Sequence, residues 1–331
     1  MKKIAIATIV SQNYGNRLQN YALQSVLQNL GYNVTTLKRQ GLDWSYKYKL
    51  KNYLHYIWKT NNTTQFFRFN KLINWSKDVY TTNLDGLNDK FDFFIAGSDQ
   101  VWNPIYSFTG TDLDFLTFTE TKKRIAYAAS FGVSKLPTER INDYKNKLKG
   151  FEKKSVREEA GAVIIKELTG KQVPVVLDPT MLLTADQWKK IEKRPPNMPK
   201  EEYTLVYSVE SMSTNLKKLV EEEKKKGLVL NVKKLNEKES AVGPAEFLYL
   251  IDHANKMLTD SFHGTVFSIL FHTPFIICNR DGINMNSRIE TLLNTFELNG
   301  KITEDAFLNA DKLLKIKRKE SIQFLKEAIK N

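Results

Sequence analysis

Two α/β domains, each built around a parallel sheet, are what this sequence predicts. Three observations carry that expectation. The chain has 331 residues, more than one domain usually holds. Short apolar runs alternate with amphipathic stretches in both halves, which is the pattern of strands joined by crossover helices. Between the halves, residues 184–202 turn polar and gather Pro195, Pro196 and Pro199, as an interdomain linker would. The expected organisation is therefore an N-terminal domain over 1–183 and a linker over 184–202. A C-terminal domain follows over 203–305, and a helix over 306–331 packs back on the N-terminal domain.

Taken in order, residues 3–10 form the first buried strand, and a loop over 11–17 leads to a helix over 18–30. That helix ends at Gly31, the position where a left-handed residue closes a helix. A strand over 33–37 completes a βαβ opening. Asn16 and Arg17 then sit at the carboxyl end of the first strand, where open α/β sheets bind their ligands. The GxGxxG fingerprint is absent there, so no dinucleotide is expected. The next buried strand, 91–96, runs into Gly97-Ser98-Asp99-Gln100-Val101-Trp102-Asn103-Pro104, a polar turn at the same end of the sheet. A strand over 124–128, a helix over 138–151, the segment Ser155-Val156-Arg157-Glu158, a helix over 159–169 and a strand over 173–177 follow. The second half repeats the pattern: strand 203–209, helix 215–226, strand 228–232 and helix 245–253. Helices near 287–295 and over 312–330 close the chain.

Composition narrows the function. Hydrophobic residues make up 41%, enough for sizeable cores, and no run approaches the roughly 20 apolar residues of a membrane span. The opening MKKIAIATIV lacks a small-residue cleavage site and reads as a strand rather than a leader. A single cysteine, Cys278, excludes an internal disulfide framework and suits a reducing cytoplasm. Four histidines and that cysteine show no metal-ligand spacing, so no metal is expected. The formal charge of +13 favours anionic partners in general, yet no nucleic-acid module is recognisable. Residues 44–77 hold ten aromatics, six lysines and Arg68 without one acidic residue. They read either as helices packed on the sheet, as a flap, or as a basic aromatic surface resting on anionic lipid.

The stretch KMLTDSFHGTVFSILFHTPFIICNR, residues 256–280, carries the sharpest signal. A short strand ends at a polar turn, Asp260 or Ser261 can cap the helix that follows, and Pro274 stops that helix. His263, Gly264 and Thr265 lie at its start. A helix N-terminus stabilises anions through its dipole and its N–H groups. A histidine beside it can also move a proton near neutral pH.

Six ordered segments, FDFFIAGSDQVWNP, RIAYAASFG, SVREEAG, VVLDPTMLL, VGPAEFLYLI and LTDSFHGTVFSILFHTPFI, resemble the polysaccharide pyruvyl transferase family. The resemblance spans nearly the whole chain. It implies two Rossmann-like domains facing a cleft, similar to GT-B glycosyltransferases. It also implies transfer of a pyruvyl group from phosphoenolpyruvate onto two hydroxyls of a sugar, giving a cyclic ketal and phosphate, a route that requires no redox group, metal or other cofactor. On that reading His263 is the general acid and Asp99 orients or deprotonates the acceptor hydroxyl. Arg157, Ser261, Gly264, Thr265 and Arg288 hold the donor, while Asn16, Arg17, Ser98 and Gln100 face the acceptor. The first loop, QNYGNR, departs from the Gly-rich, acidic loop of some members, which leaves the acceptor sugar open. The acceptor expected is a sugar in a cell-surface polysaccharide or its lipid-linked precursor, and peripheral contact with an anionic membrane is one of the alternatives open for residues 44–77. Two other readings stand beside this one: a GT-B glycosyltransferase using a nucleotide sugar, and a non-catalytic protein binding anionic glycan or lipid.

Overall fold

A computed structural model describes residues 1–39, 62–80, 83–237, 241–281, 287–299, 302 and 304–330. Their contacts divide them into two units. The first comprises described residues 1–39, 72–182 and 315–330; the second comprises 62–71 and 183–314.

The first unit is built on six strands: β1 (Lys3–Ala7), β2 (Asn33–Arg39), β3 (Trp75–Tyr80), β4 (Phe93–Ala96), β5 (Arg124–Ala129) and β6 (Lys153–Val156). All are parallel, in the order β3-β2-β1-β4-β5-β6. The chain builds outward from β1 to β3, then returns to pair β4 on the other side of β1. Neighbouring strands therefore diverge at β1 and β4, and their loops open a crevice at the carboxyl edge. Strands β1 and β4 are buried through Ile4–Ala7 and Phe93–Ala96, as strands covered on both faces must be. Trp102 anchors this core, stacked on Phe115 at 5.4 Å with its indole N–H donated to Asp114 O at 3.1 Å. The terminal helix, Glu304–Lys330, contributes its last part. Ser321 Oγ accepts from Leu177 N at 3.0 Å, and Lys2 and Lys153 donate to Ile329 O and Ala328 O. Two cations thus meet the negative end of that helix.

The second unit has four parallel strands, β7 (Tyr203–Tyr207), β8 (Leu228–Asn231), β9 (Lys256–Thr259) and β10 (Phe275–Ile277), in the order β10-β9-β7-β8. Here the reversal falls between β7 and β9. The helix Phe262–Phe271 is buried along all but its last residue, and Phe267 meets Trp188 edge-on at 5.1 Å.

Several sequence expectations need correction. The first helix starts at Tyr14, not at residue 18, because Asn13 accepts from Asn16 N and caps it there; Asn16 and Arg17 are therefore helical. The segment 173–177 forms only an isolated bridge, Val156 to Val175. The stretch expected to be a linker contains the helix Ala185–Lys189, closed by a Thr184/Gln187 capping box, and its Trp188 is fully buried. One aromatic anchor outweighs the polar residues around it. The basic aromatic stretch was expected in the N-terminal domain, yet its helix Asn62–Asn70 belongs to the second unit. Phe66 and Phe69 are core residues there, 2% and 3% exposed, while residues 72–77 belong to the first unit, where 75–77 begin β3. Gly243 lies so close to Gln65 that a Cβ would come within 2.4 Å of the Gln65 Cβ. The rest of that stretch, 44–61, lies outside the described residues. Among those described, no helix is long and apolar enough to cross a membrane.

Glu246 gives a pH-dependent reporter of the second unit. It closes the cap of the helix Pro244–Asp252 by accepting from Gly243 N at 3.0 Å. Burial raises its carboxyl above the ordinary 4.5, against the pull of the backbone N–H groups of Glu246 and Gly243. An acid raised in the folded state favours folding fully below its unfolded pKa, and that contribution is lost as pH rises through the folded pKa. Glu246→Gln keeps an acceptor without the charge. Urea unfolding between pH 4 and 7 should therefore show the variant gaining on wild type as pH rises; parallel profiles would count against this assignment.

Candidate active site

At the reversal of the first sheet, the loop after β1 and the loop after β4 are tied together. Thr8 Oγ1 donates to Ser98 O at 2.9 Å, Gly97 N donates to Ala7 O at 3.0 Å, and Gln19 Nε2 donates to Thr8 Oγ1 at 2.8 Å. The Gly97–Ser98 peptide is cis, and Gly97 has φ of 105°. A Cβ at Gly97 would lie 2.5 Å from Tyr127 O, so only glycine fits both the angle and the space. Asp99 follows with φ of 74°, a left-handed conformation that neighbouring bonds must hold for a non-glycine residue. They do: Asp99 O accepts from Ser130 N at 2.9 Å and Asp99 Oδ1 accepts from Gln100 N at 2.8 Å.

The turn sits on a buried charge network. Arg157, with a fully buried side chain, donates from Nη2 to Asp99 Oδ1 at 3.0 Å and from Nη1 to Asp178 Oδ2 at 2.9 Å. Ser98 Oγ donates to Asp178 Oδ2 at 2.9 Å, and Thr180 donates to Asp178 Oδ1 through its N–H and its hydroxyl. Asn16 Nδ2 donates to Asp99 Oδ2, and Ser11 donates to Asn16 Oδ1. Glu158 accepts from Phe131 N at 2.9 Å. Burial opposes the Arg157 charge, but Asp99, Asp178 and Glu158 together outweigh it and raise its pKa.

This geometry sorts the residues expected here. Asn16, Ser98, Asp99 and Arg157 meet in one network, and Gln100 accepts from Asn103 Nδ2 at its rim. Arg157 was expected to grip the donor; both its Nη groups are instead engaged by protein carboxylates, which makes it the positioning residue of Asp99. Arg17 was expected on the acceptor side, but it is 1% exposed and its guanidinium lies 5.5 Å from the Trp75 ring centroid. Burial lowers its pKa to about 9. Asp178 carries no role in the sequence reading. Its one signal is an Asp-Pro pair at the end of an apolar run, where an acid commonly caps a turn.

The second reversal, between β7 and β9, is stitched in the same way. Thr259 Oγ1 donates to Tyr207 O at 2.7 Å and accepts from Ser261 N at 3.0 Å, while Asp260 Oδ1 accepts from Val209 N at 2.8 Å. Ser261 caps the helix Phe262–Phe271 by accepting from Gly264 N at 3.2 Å. Thr265 Oγ1 donates to Ser261 O at 3.0 Å, so Thr265, completely buried, serves the turn's own bonds. A Cβ on Gly264 would lie 2.8 Å from Met257 Cε and 2.9 Å from Thr259 Oγ1, and the glycine lets helix and strand close up. His263 sits in the first turn, 8% exposed, with its ring edge-on to Phe262 at 5.2 Å. The Arg288 guanidinium lies 5.9 Å from the centroid of that same Phe262 ring. Ser261, His263, Gly264, Thr265 and Arg288 thus gather at one strand end, in a different unit from Asp99 and Arg157.

Arg280 is the cation here that sequence reading missed. It donates to Asp260 Oδ2 and to Glu210 Oε1, both at 3.0 Å, and nothing local in the sequence pairs it with residues 20 and 70 positions away. Cys278 is buried, and burial with the charge of Asp260 pushes its thiol up to about 11. It behaves as an inert core residue.

Comparison with solved structures finds the same two-domain α/β build in several proteins. A glycosyltransferase from Rickettsia africae ESF-5 matches with a TM-score of 0.54 at 11% identity, over 99% of this chain and 98% of that one. A putative UDP-N-acetylglucosamine 2-epimerase from Listeria monocytogenes matches at 0.51 and 12%, over 97% and 90%. HepE from Anabaena, solved in complex with UDP and glucose, matches at 0.50 and 10%, over 99% of each chain. The likeness is one of fold, the GT-B type with two Rossmann-like domains. No protein of curated function matches the sequence. The profile of the polysaccharide pyruvyl transferase family matches residues 13–282, and the chain belongs to that family.

Proposed function

We propose that this protein moves the pyruvyl group of phosphoenolpyruvate onto two hydroxyls of one sugar, in a cell-surface polysaccharide or its lipid-linked precursor. The observation that carries the reading is His263. It is a histidine in the first turn of a buried helix, at the reversal of a parallel sheet, in a chain of this family. The helix start favours the anionic donor, and Arg288, which lies against the same Phe262 ring as His263, is assigned to planar contacts with its carboxylate or phosphate. His263 delivers a proton to the methylene carbon of the enol while a sugar hydroxyl bonds to the central carbon. The carbon–oxygen bond to phosphate then breaks, and phosphate leaves with its electron pair and with the proton given up by the first hydroxyl. The second hydroxyl bonds to the same carbon, closing the ketal, and its proton returns to the histidine. Asp99, held by Arg157 and Asn16, is assigned to orienting the acceptor.

Ligand-induced stabilisation tests the donor. A ligand bound by the folded state alone adds about 2.7 kcal/mol at 100 times its Kd. Phosphoenolpyruvate should therefore raise the melting temperature clearly more than UDP-glucose does. A response to UDP-glucose with none to phosphoenolpyruvate would assign the protein to glycosyl transfer instead.

A further inference from the structure

At the opposite edge of the first unit's sheet, where β6 begins, lies a cavity of about 350 Å³ that the proposed reaction does not use. It is lined by Lys153, Lys154, Lys171, Val173, Pro174 and Phe324, with Gln172, Glu152, Glu327 and Ala328 completing the wall. Its volume is in the range of sites for small molecules, which begins at about 300 Å³. Three lysines converge on it from two chain segments. Lys153 Nζ is committed to Ala328 O. Lys154, 6% exposed, donates to Phe151 O at 2.6 Å and is held by a neutral carbonyl rather than a carboxylate. Burial, and then the neighbouring charge of Lys171, push its ammonium down. Lys154 is thus a buried cation with the exposed Lys171 beside it on the same wall, and among the described residues neither is paired to an acid, an arrangement that favours an anion joining them. Of the two acids in the wall, Glu327 Oε1 accepts from Gln323 Nε2 one turn back along its helix, and Glu152 is exposed. Apolar surface from Val173, Pro174 and Phe324 faces the same space.

We propose that this cavity is a binding site for a small phosphate monoester. Its phosphate would lie between Lys154 and Lys171, and its body against Val173, Pro174 and Phe324. The ligand would join β6 and the segment after the helix Glu159–Thr169 to the terminal helix. It would therefore add to the docking of that helix on the first unit. Strand β6 is four residues long and hands directly to Arg157, so the site lies at the other end of the strand that positions Asp99. The inference does not depend on which reaction the protein performs.

Lysine acetylation mapped by peptide mass spectrometry, with glycerol 3-phosphate as the probe, tests it. At ten times its Kd the probe leaves about one site in eleven free, so acetylation of Lys154 and Lys171 should slow roughly tenfold, while that of exposed Lys190 stays unchanged. The same protection should appear in His263→Gln, which separates this site from the proposed donor site. The melting temperature should rise with the probe, and that part of the rise should vanish in Lys154→Met/Lys171→Met. Both replacements remove a charge without removing bulk, and the variant should remain folded. Absence of protection at both lysines would overturn the proposal. So would equal protection by sodium chloride at matched ionic strength, which would mean screening only, or an undiminished thermal shift in the double variant.

Discussion

Replacing His263 with glutamine should lower turnover by roughly 10²–10⁴-fold, the span typical of a lost general acid, while the melting temperature stays close to that of wild type. Glutamine is of similar length and still offers an N–H, so packing against Phe262 and any hydrogen bond to the donor are largely kept. Only the proton delivered to carbon is lost, because an amide does not titrate near neutral pH. Donor-induced stabilisation should therefore persist in the variant, which separates binding from chemistry. Two other histidines serve as controls. His253 stacks on Tyr249 at 3.9 Å with Nδ1 3.0 Å from Tyr249 O. His272 ends its helix at φ of 56° and pairs with Asp311 at 3.2 Å. Substituting either should leave turnover within a few-fold of wild type. Near-wild-type turnover in His263→Gln would remove that residue from the mechanism.

Arg157→Met should be among the most destabilising single changes in the first unit, by about 3–5 kcal/mol, the cost of leaving buried charges without their partner. Methionine fills much of the same volume, so the loss reports charge rather than a cavity. Asp99 and Asp178 would face each other's field in a buried site, one held in a left-handed turn and the other already accepting from Thr180. One route out is protonation of a carboxylate, so the defect should shrink as pH falls towards the carboxylate range. A triple variant adding Asp99→Asn and Asp178→Asn should recover part of the loss, since contacting groups in one network are not additive. Urea denaturation of the three proteins at two pH values measures this. A loss under about 1 kcal/mol, the scale of an exposed pair, would show that the network does not hold the turn.

Much of this was readable beforehand because the signals are local. Buried parallel strands show as unbroken apolar runs, so β1, β4, β5, β7 and β9 fall where expected. The Ser261 cap and the turn after Ala96 are written in adjacent residues. What escaped depends on distant partners. Asp178 matters because Arg157 and Ser98 reach it from 21 and 80 positions away, and no spacing rule encodes that. Trp188 hides in a polar, proline-rich stretch that composition alone reads as a linker. Arg17 looks like a ligand contact from its place after the first strand, but the helix begins early and turns its side chain inward onto Trp75. For the helix Asn62–Asn70 the sequence leaves packing and surface contact both open, and the burial of Phe66 and Phe69 decides for packing.

The terminal helix has a consequence for how the chain acquires its structure. Its residues 304–314 count with the second unit and 315–330 with the first, so the first unit draws on chain from both sides of the second. Domains made in sequence usually fold in the order they leave the ribosome, N-terminal first. Here the described parts of the second unit all lie within residues 62–314 and are complete before Ser321 can reach Leu177 or Ala328 can receive Lys153. The unit that begins the chain is therefore the one that must wait. Until Ser321 and Phe324 emerge, the surface they cover at Leu177 and Tyr127 stays open, and transiently exposed surface of this kind is what makes incompletely folded chains prone to aggregate.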